Sequence, residues 1–323
     1  MTSLRYGFHA AYHPLVACAL AVAAQAQQTP DREFKATVDV PAYTSSHPKV
    51  LFDEAHLNVH NADGTYAAFV GLMKSDGYEV EVNRKPFDAT VLDGYQVLMV
   101  SNARGEARRS EKPAFTEAEC DAVRDWVQAG GALLLVVDHY PTGHAAEAMA
   151  NRFGVDLGKG RTADPSNAAA DRSLAGTIIF ARDKQGIGEH AITNGRSESE
   201  RINRVATFTG ESLKGPDGST ALLILSPTAI DFFPSDAADN SPAGSGPRRR
   251  VQVGSEPQKS AAGRSQGVAF TFGKGRVVVL GEASQLSAQR AGRQQQSAMG
   301  MNYADSDNRQ WAINIMHWLS GLM

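Results

Sequence analysis

Short apolar runs recur along this 323-residue chain, and segments of helical period separate them. Residues 50–52, 96–100 and 132–137 are the clearest runs, and the last is apolar at every position. A strand without alternation has both faces covered, whereas a strand of a half-solvated antiparallel sheet alternates apolar with polar residues. The pattern therefore predicts an α/β fold, a doubly wound and mostly parallel sheet with helices on both faces. Between the runs, Tyr66, Phe69, Val70 and Met73 fall at helical spacing before Gly77. Tyr78, Val80 and Val82 alternate with Glu79 and Glu81, as a half-exposed strand does. Thr116 and Glu119 have the spacing of a capping box, and Phe115 and Cys120 that of a hydrophobic staple. Val123, Trp126 and Val127 continue that helix to Gly130-Gly131, which places Cys120 in the core.

The middle of the chain is less regular. Residues 177–181, 206–208 and 221–225 read as strands, with Gly215-Pro216-Asp217-Gly218 as a turn. Residues 234–267 are rich in Ser, Ala, Gly and Pro, which predicts a flexible insertion. Regular structure resumes with strands at 268–272 and 276–280 around Gly273-Lys274-Gly275. Residues 285–296 are polar and are expected to form a mobile flap, before a helix whose Trp311, Ile315, Trp318, Leu319 and Leu322 share a face. The expected organisation is a signal peptide at 1–26, an extended lead-in at 27–47 and one α/β domain at 48–323. The signal rests on Arg5, an apolar stretch at 14–24 and the small-x-small site Ala24-Gln25-Ala26. The expected localisation is therefore export, to the periplasm or the medium. Cys18 offers a lipid anchor as the alternative.

Two cysteines, Cys18 and Cys120, cannot build a Cys-rich zinc site. A formal charge of −3 argues against a nucleic-acid partner, and Arg248-Arg249-Arg250 sits in a Ser/Gly/Pro stretch that reads as a solvated loop. No transmembrane span is expected.

Chemistry-bearing residues gather where the strands end. In open α/β sheets ligands bind beyond the carboxyl ends of the strands. Asp53, Glu54, His56 and His60 follow one strand, Asn102 another, Asp138 and His139 a third, and Glu282 and Ser284 a fourth. Asp138, His139 and Glu282 are the candidate catalytic groups. Asp53, Glu54, His56, Asn102 and His190 are candidate ligand contacts. Imidazole with carboxylate is also a ligand set for a divalent metal that activates water. His56, His139 and Asp53 are the candidate metal ligands, with Glu282 as base, although nothing in the sequence requires a cofactor. Purely structural roles stand beside these. Asp53 and Glu54 would then orient a turn, His56 donate to a carbonyl, Asp138 cap the following helix and His60 lie exposed in a loop. Residues 61–65 open a helix beside the same edge, where free amides would hold an anionic or hydroxyl-rich group. Asp53-Glu54-Ala55-His56 spells a helicase box, but no phosphate loop accompanies it. No Gly-x-Ser-x-Gly elbow is present either.

The order strand, Asp-Glu-Ala-His, helix, two strands, capped helix, Gly-Gly, apolar strand, Asp-His resembles the secreted, uncharacterised branch of the class I glutamine-amidotransferase-like superfamily. It is similar to the trehalose-utilisation-type proteins, in which a His-Pro-Ile-Thr segment corresponds to Glu189-His190-Ala191-Ile192-Thr193. More distantly it resembles the domain shared by gliding-motility and intraflagellar-transport proteins, an assembly module. The resemblance implies a flavodoxin-like sheet with mid-chain insertions and a pocket role for His190. The family's nucleophilic cysteine is absent, because the matching elbow reads Val137-Asp138-His139-Tyr140. Glutamine hydrolysis is therefore not expected. The expected function is binding of a small, hydroxyl-rich ligand, for which the resemblance implies a sugar derivative. The alternatives are a metal-assisted hydrolase and a non-catalytic assembly module whose protein partner is unknown.

Overall fold

A computed structural model describes residues 28–105, 112–140, 142–170, 174–233, 257–292 and 294–323. Its centre is a nine-stranded sheet flanked by helices, counted among the described residues. The elements that frame the site are β1 (Lys49–Asp53), α1 (Ala67–Ser75), β2 (Glu79–Asn83), β3 (Val97–Ser101), α2 (Glu117–Ala129), β4 (Ala132–Val136), α3 (Thr142–Arg152), β5 (Ser265–Phe272), β6 (Gly275–Leu280) and α4 (Asn308–Leu319). The sheet order is β2-β1-β3-β4-β6-β5, followed by Leu213–Lys214 and Asp156–Leu157, with Thr220–Ile224 also paired to β5.

From β2 to β6 all pairings are parallel. Beyond β6 they are antiparallel. The sheet is therefore mixed, which corrects the expectation of a mostly parallel one. The reason is local. Gly273-Lys274-Gly275 joins β5 to β6 too tightly for a crossover, and parallel neighbours need a dozen or more connecting residues.

Successive residues of the central strands feed opposite cores. Leu134 and Val136 of β4 join Val50, Phe52, Met99, Val278, Phe69 and Trp311 on the face carrying α1 and α4. Leu133 and Leu135 join Leu98, Val100, Val279, Cys120, Val127 and Met149 on the face carrying α2 and α3. Each such leucine, fully withdrawn from water, contributes roughly 1.5–3 kcal/mol. This double burial is why the strands read as unbroken apolar runs. The Thr116 capping box forms as its spacing predicts, with both reciprocal bonds present.

Two other expectations change. Residues 258–260 and 265–267 are strand, so the expected insertion at 234–267 is not irregular at its end; 234–256 lie outside the described residues, as does the expected signal at 1–26. The expected flap is instead a one-turn 3-10 helix, Ser284–Leu286, and a hairpin of Ala288–Ala291 with Ser297–Gly300. Gln285, Ser287 and Gln289 are buried, whereas Gln294 and Gln296 at the turn are exposed. Gln285 donates to the Glu282 carbonyl at 2.6 Å and accepts from Trp311 Nε1 at 2.8 Å. The lead-in adds Thr29–Pro30 as a third strand to this hairpin.

Among the described residues no helix is long and apolar enough to cross a membrane.

Candidate functional site

After β2 the chain crosses back over β1 to lay down β3, so the connections on the two sides of β1 run in opposite directions. Such a reversal opens a crevice at the carboxyl ends of the two strands. Asp53 closes β1 and Asn102 follows β3 at this point. Asn102 has a left-handed backbone, φ 45°, which asparagine tolerates better than most residues.

One group of polar residues there is sealed. His56 is buried, with Nδ1 2.8 Å from Asp53 Oδ2 and Nε2 2.8 Å from Glu119 Oε1. Phe87 and Phe115 wall the ring at centroid distances of 4.7 and 4.6 Å. Asp53 also accepts from Asn58 at 3.1 Å and Asn83 at 3.3 Å. Burial opposes a charge on His56, but the hydrogen bonds and charge of Asp53 and then Glu119 outweigh it and hold the imidazole above its ordinary value. Burial likewise works to raise Glu119. Bonds from the Thr116 backbone, His56, the Thr116 hydroxyl and the Phe87 backbone N–H overcome it and hold this carboxyl low. Both ring nitrogens of His56 donate to carboxylates, so neither has a lone pair for a metal. His56 and Asp53 thus leave the expected metal set, and His56 bonds to two carboxylates rather than to a carbonyl. Among the described residues no group of three His, Cys, Asp or Glu is placed to hold a metal ion.

A second group is acidic and opens to solvent. Asp138 follows β4 and Glu282 follows the neighbouring β6. Asp138 Oδ1 accepts the His139 N–H at 2.7 Å, while Oδ2 has only long contacts, 3.4 Å each, to Asn102 Nδ2 and the Ala283 N–H. Glu282 is fully buried and accepts the Ser284 and Gln285 backbone N–H at 2.7 and 2.8 Å. Burial pushes Asp138 up to about 7, against the bonds it accepts. Burial and then the Asp138 charge push Glu282 up to about 8. A third carboxyl, Glu211, reaches this place from a distant part of the chain. It is fully buried, and Oε2 accepts the Lys159 N–H at 2.6 Å. Burial first, and then the charges of Asp138 and Asp231, raise it well above the usual range. Tyr66 is buried beneath the acids and donates to the Ala283 carbonyl at 2.6 Å. Among the described residues, Asn102 Oδ1 and Glu211 Oε1 are buried without a hydrogen-bond partner.

His139 stands at the mouth, its side chain 44 % exposed against 15 % for Asp138. Its Nδ1–H donates to the Tyr140 carbonyl at 2.9 Å. Burial, with the Arg161 charge, holds its ring below the ordinary value despite that bond and the Glu282 charge.

The remaining candidates lie elsewhere or are committed. Glu54 accepts the Ala62 N–H and pairs with Arg84, both at 2.9 Å, so it fastens the loop ahead of α1. Two of the amides of 61–65 are engaged, Ala62 by Glu54 and Gly64 by the Asn61 carbonyl. His60, expected exposed, is buried against Tyr66 and bonded to Thr65 at 2.6 Å, and burial depresses it to about 4. His190 is not at this edge. It caps a one-turn helix, Ala191–Asn194, with its ring 4.9 Å from that of Trp318, and it feels the charge of Arg276. Arg276 is the second residue of β6 whereas Glu282 follows it, so six residues at about 3.3 Å each separate the two. Cys120 is buried, and burial pushes its thiol up to about 11. A cavity of about 410 Å³ is lined by residues that include Lys159, Asp231, Arg264 and His144 but none of the three acids; the Lys159 N–H, which donates to Glu211, is its link to them.

Residues 61–304, well over half of the chain, match the family described as domain of unknown function DUF4350. The chain belongs to that family. No curated protein matches this DUF4350 chain. Among solved structures, it is similar to the N-terminal domain of mmIFT52, at 13% identity and a TM-score of 0.57, covering 84% of this chain and 97% of that one. A ThuA-like protein from Bacteroides uniformis matches at 13% identity and a TM-score of 0.41, covering 87% and 95%. A Thermoplasma acidophilum protein described as part of a GMP synthase matches at 10% and 0.42, covering 86% and 97%. At these identities the first similarity speaks for the fold alone.

Sequence reasoning missed Glu119 as a partner of His56, Tyr66 as the floor of the acidic group, and Glu211. Glu119 and Tyr66 carried a helical signal that fully explained them. Glu211 follows the strand Arg204–Phe208, as a strand-end acid would, but that strand lies in a separate two-stranded sheet, so its position gave no lead.

Proposed function

We propose that this DUF4350 protein binds a small hydroxyl-rich ligand, such as a sugar derivative, at Asp138, His139 and Asn102, with Glu282 and Glu211 behind them. The observation that carries the reading is Asp138 itself. It is a partly open carboxyl whose Oδ2 has only 3.4 Å contacts and which lies beside the unpartnered Asn102 Oδ1. Poorly bonded buried acceptors cost about 1–3 kcal/mol each, and ligand hydroxyls would satisfy them. Titration calorimetry with a panel of sugars and sugar alcohols tests it. Saturable binding is expected, weakened at least tenfold by Asp138→Asn with thermal unfolding still cooperative. Heats that never saturate for any member of the panel would refute the reading.

Hydrolysis is the second reading, and the mutual repulsion of Asp138 and Glu282 favours it. Two carboxyls driven up together keep one protonated beside the other, the arrangement acid–base catalysis uses. It needs no metal at His56. Glu282→Gln would then abolish turnover of a bound glycoside while leaving its binding in place.

The parallel strands are, in this reading, a flavodoxin-like core of the glutamine-amidotransferase-like type. Their order, β2-β1-β3-β4-β6, supports it, since 2-1-3-4-5 is the flavodoxin-like order. The elbow after β4 carries Asp138 where that superfamily has cysteine, so the chemistry is not amide transfer from glutamine. Export rests on residues 5–26 alone.

A further inference from the structure

We infer that the ligand of this site carries a protonated amine, which seats against Asp138 Oδ2 and Asn102 Oδ1. The inference rests on the proposed hydroxyl-rich ligand site and narrows its chemistry.

Three carboxyls from three separate segments meet here: Asp138 after β4, Glu282 after β6, and Glu211 from the chain between Arg204–Phe208 and Leu213–Lys214. Glu282 and Glu211 are fully buried. Among the described residues none of the three has a Lys or Arg within ion-pair distance, and the nearest imidazole nitrogen, His139 Nε2, is 3.8 Å from Asp138 Oδ1. Arg161 faces His139 and Arg264 faces Glu211, at charge–charge range only. Tyr66 adds no charge, because burial raises its hydroxyl far above neutrality. Like charges gathered without a cation are unfavourable; protons relieve them in the free protein, and a ligand ammonium supplies the positive charge in their place.

The unpartnered oxygen of Asn102 points the same way. Asn102 is 4 % exposed and its amide lies against Asp138, yet among the described residues its Oδ1 has no donor. It is an acceptor, and its demand is for a donor. A neutral hydroxyl supplies one donor and no charge, whereas an ammonium supplies three donors and a positive charge. Exposure fixes the direction of approach. Asp138 is the one acid of the three that opens to solvent, so the amine meets Asp138 and Asn102 while Glu282 and Glu211 act on it from behind.

Glucamine and sorbitol differ in one position, an amine replacing a hydroxyl, and they separate this inference from the reading beneath it. Calorimetric titration near neutral pH is expected to give at least tenfold tighter binding of glucamine. Asp138→Asn, shown to be folded by its thermal transition, should bring the two affinities within about twofold. Sorbitol binding as tightly as glucamine would overturn the amine inference and leave the hydroxyl-rich site standing. A preference for glucamine that persists in Asp138→Asn would overturn the assignment to this carboxyl. Saturable binding of neither compound would remove both.

Discussion

His56 bonds to two carboxylates, Asp53 and Glu119, within aromatic walls, and this makes it a structural clamp between β1 and the start of α2. Removing the ring would leave two buried carboxylates facing a void. His56→Ala is therefore expected to cost about 3–5 kcal/mol, measured by denaturant unfolding. The pH dependence follows from the two shifts. The folded imidazole is held above its ordinary value, so its contribution is complete below about pH 6.5 and fades as pH rises through the raised value. Glu119 is held low, so its contribution is present above about pH 4.3 and fades on acidification through the lowered value. The gap between wild type and His56→Ala should be widest near pH 6 and narrow on both sides. A gap that does not vary between about pH 4 and pH 9 would show that packing, not charge, holds this place.

Two helix starts illustrate what an element requires of its neighbours. The capping box at α2 was legible because both partners lie within four residues, but Glu119 also bonds His56 and the Phe87 N–H, so one carboxylate serves the helix end and the clamp. The start of α3 is different. Gly143, in its first turn, lies so close to Glu211 that a Cβ there would overlap the carboxylate oxygens. Alanine is ordinarily better than glycine in a helix by about 0.5–1 kcal/mol. Gly143→Ala is nonetheless expected to destabilise, by about 1–3 kcal/mol, because a buried carboxyl has to move. Thermal unfolding decides the sign, and a stabilised variant would mean that Glu211 yields freely and is not fixed by this helix.

On the scale of the whole molecule, the hairpin of Ala288–Ala291 and Ser297–Gly300 follows the 3-10 helix Ser284–Leu286 that succeeds Glu282. Hydrogen exchange is expected to show its paired amides protected for orders of magnitude longer than a mobile loop allows. Exchange within seconds would restore the flap that its polar composition suggested. The sequence by itself determined the doubly covered α/β sheet, the capped helix, and the strand ends that bear Asp53, Asn102, Asp138 and Glu282. Each of those signals is a periodicity or a cap, written within a few residues. Only the tertiary structure decided which polar groups are sealed and which are open. His56 and Glu119 lie 63 positions apart, and the bond between them diverts His56 from a ligand to a clamp. His190 carried the right neighbours in sequence, yet it stands by Trp318 and Arg276 at the other end of β6. Glu211 carried no signal and joins Asp138 and Glu282. The physical reason is common to all three. A side chain's burial, partner and charge are set by the residues that folding brings beside it, and local pattern does not record them.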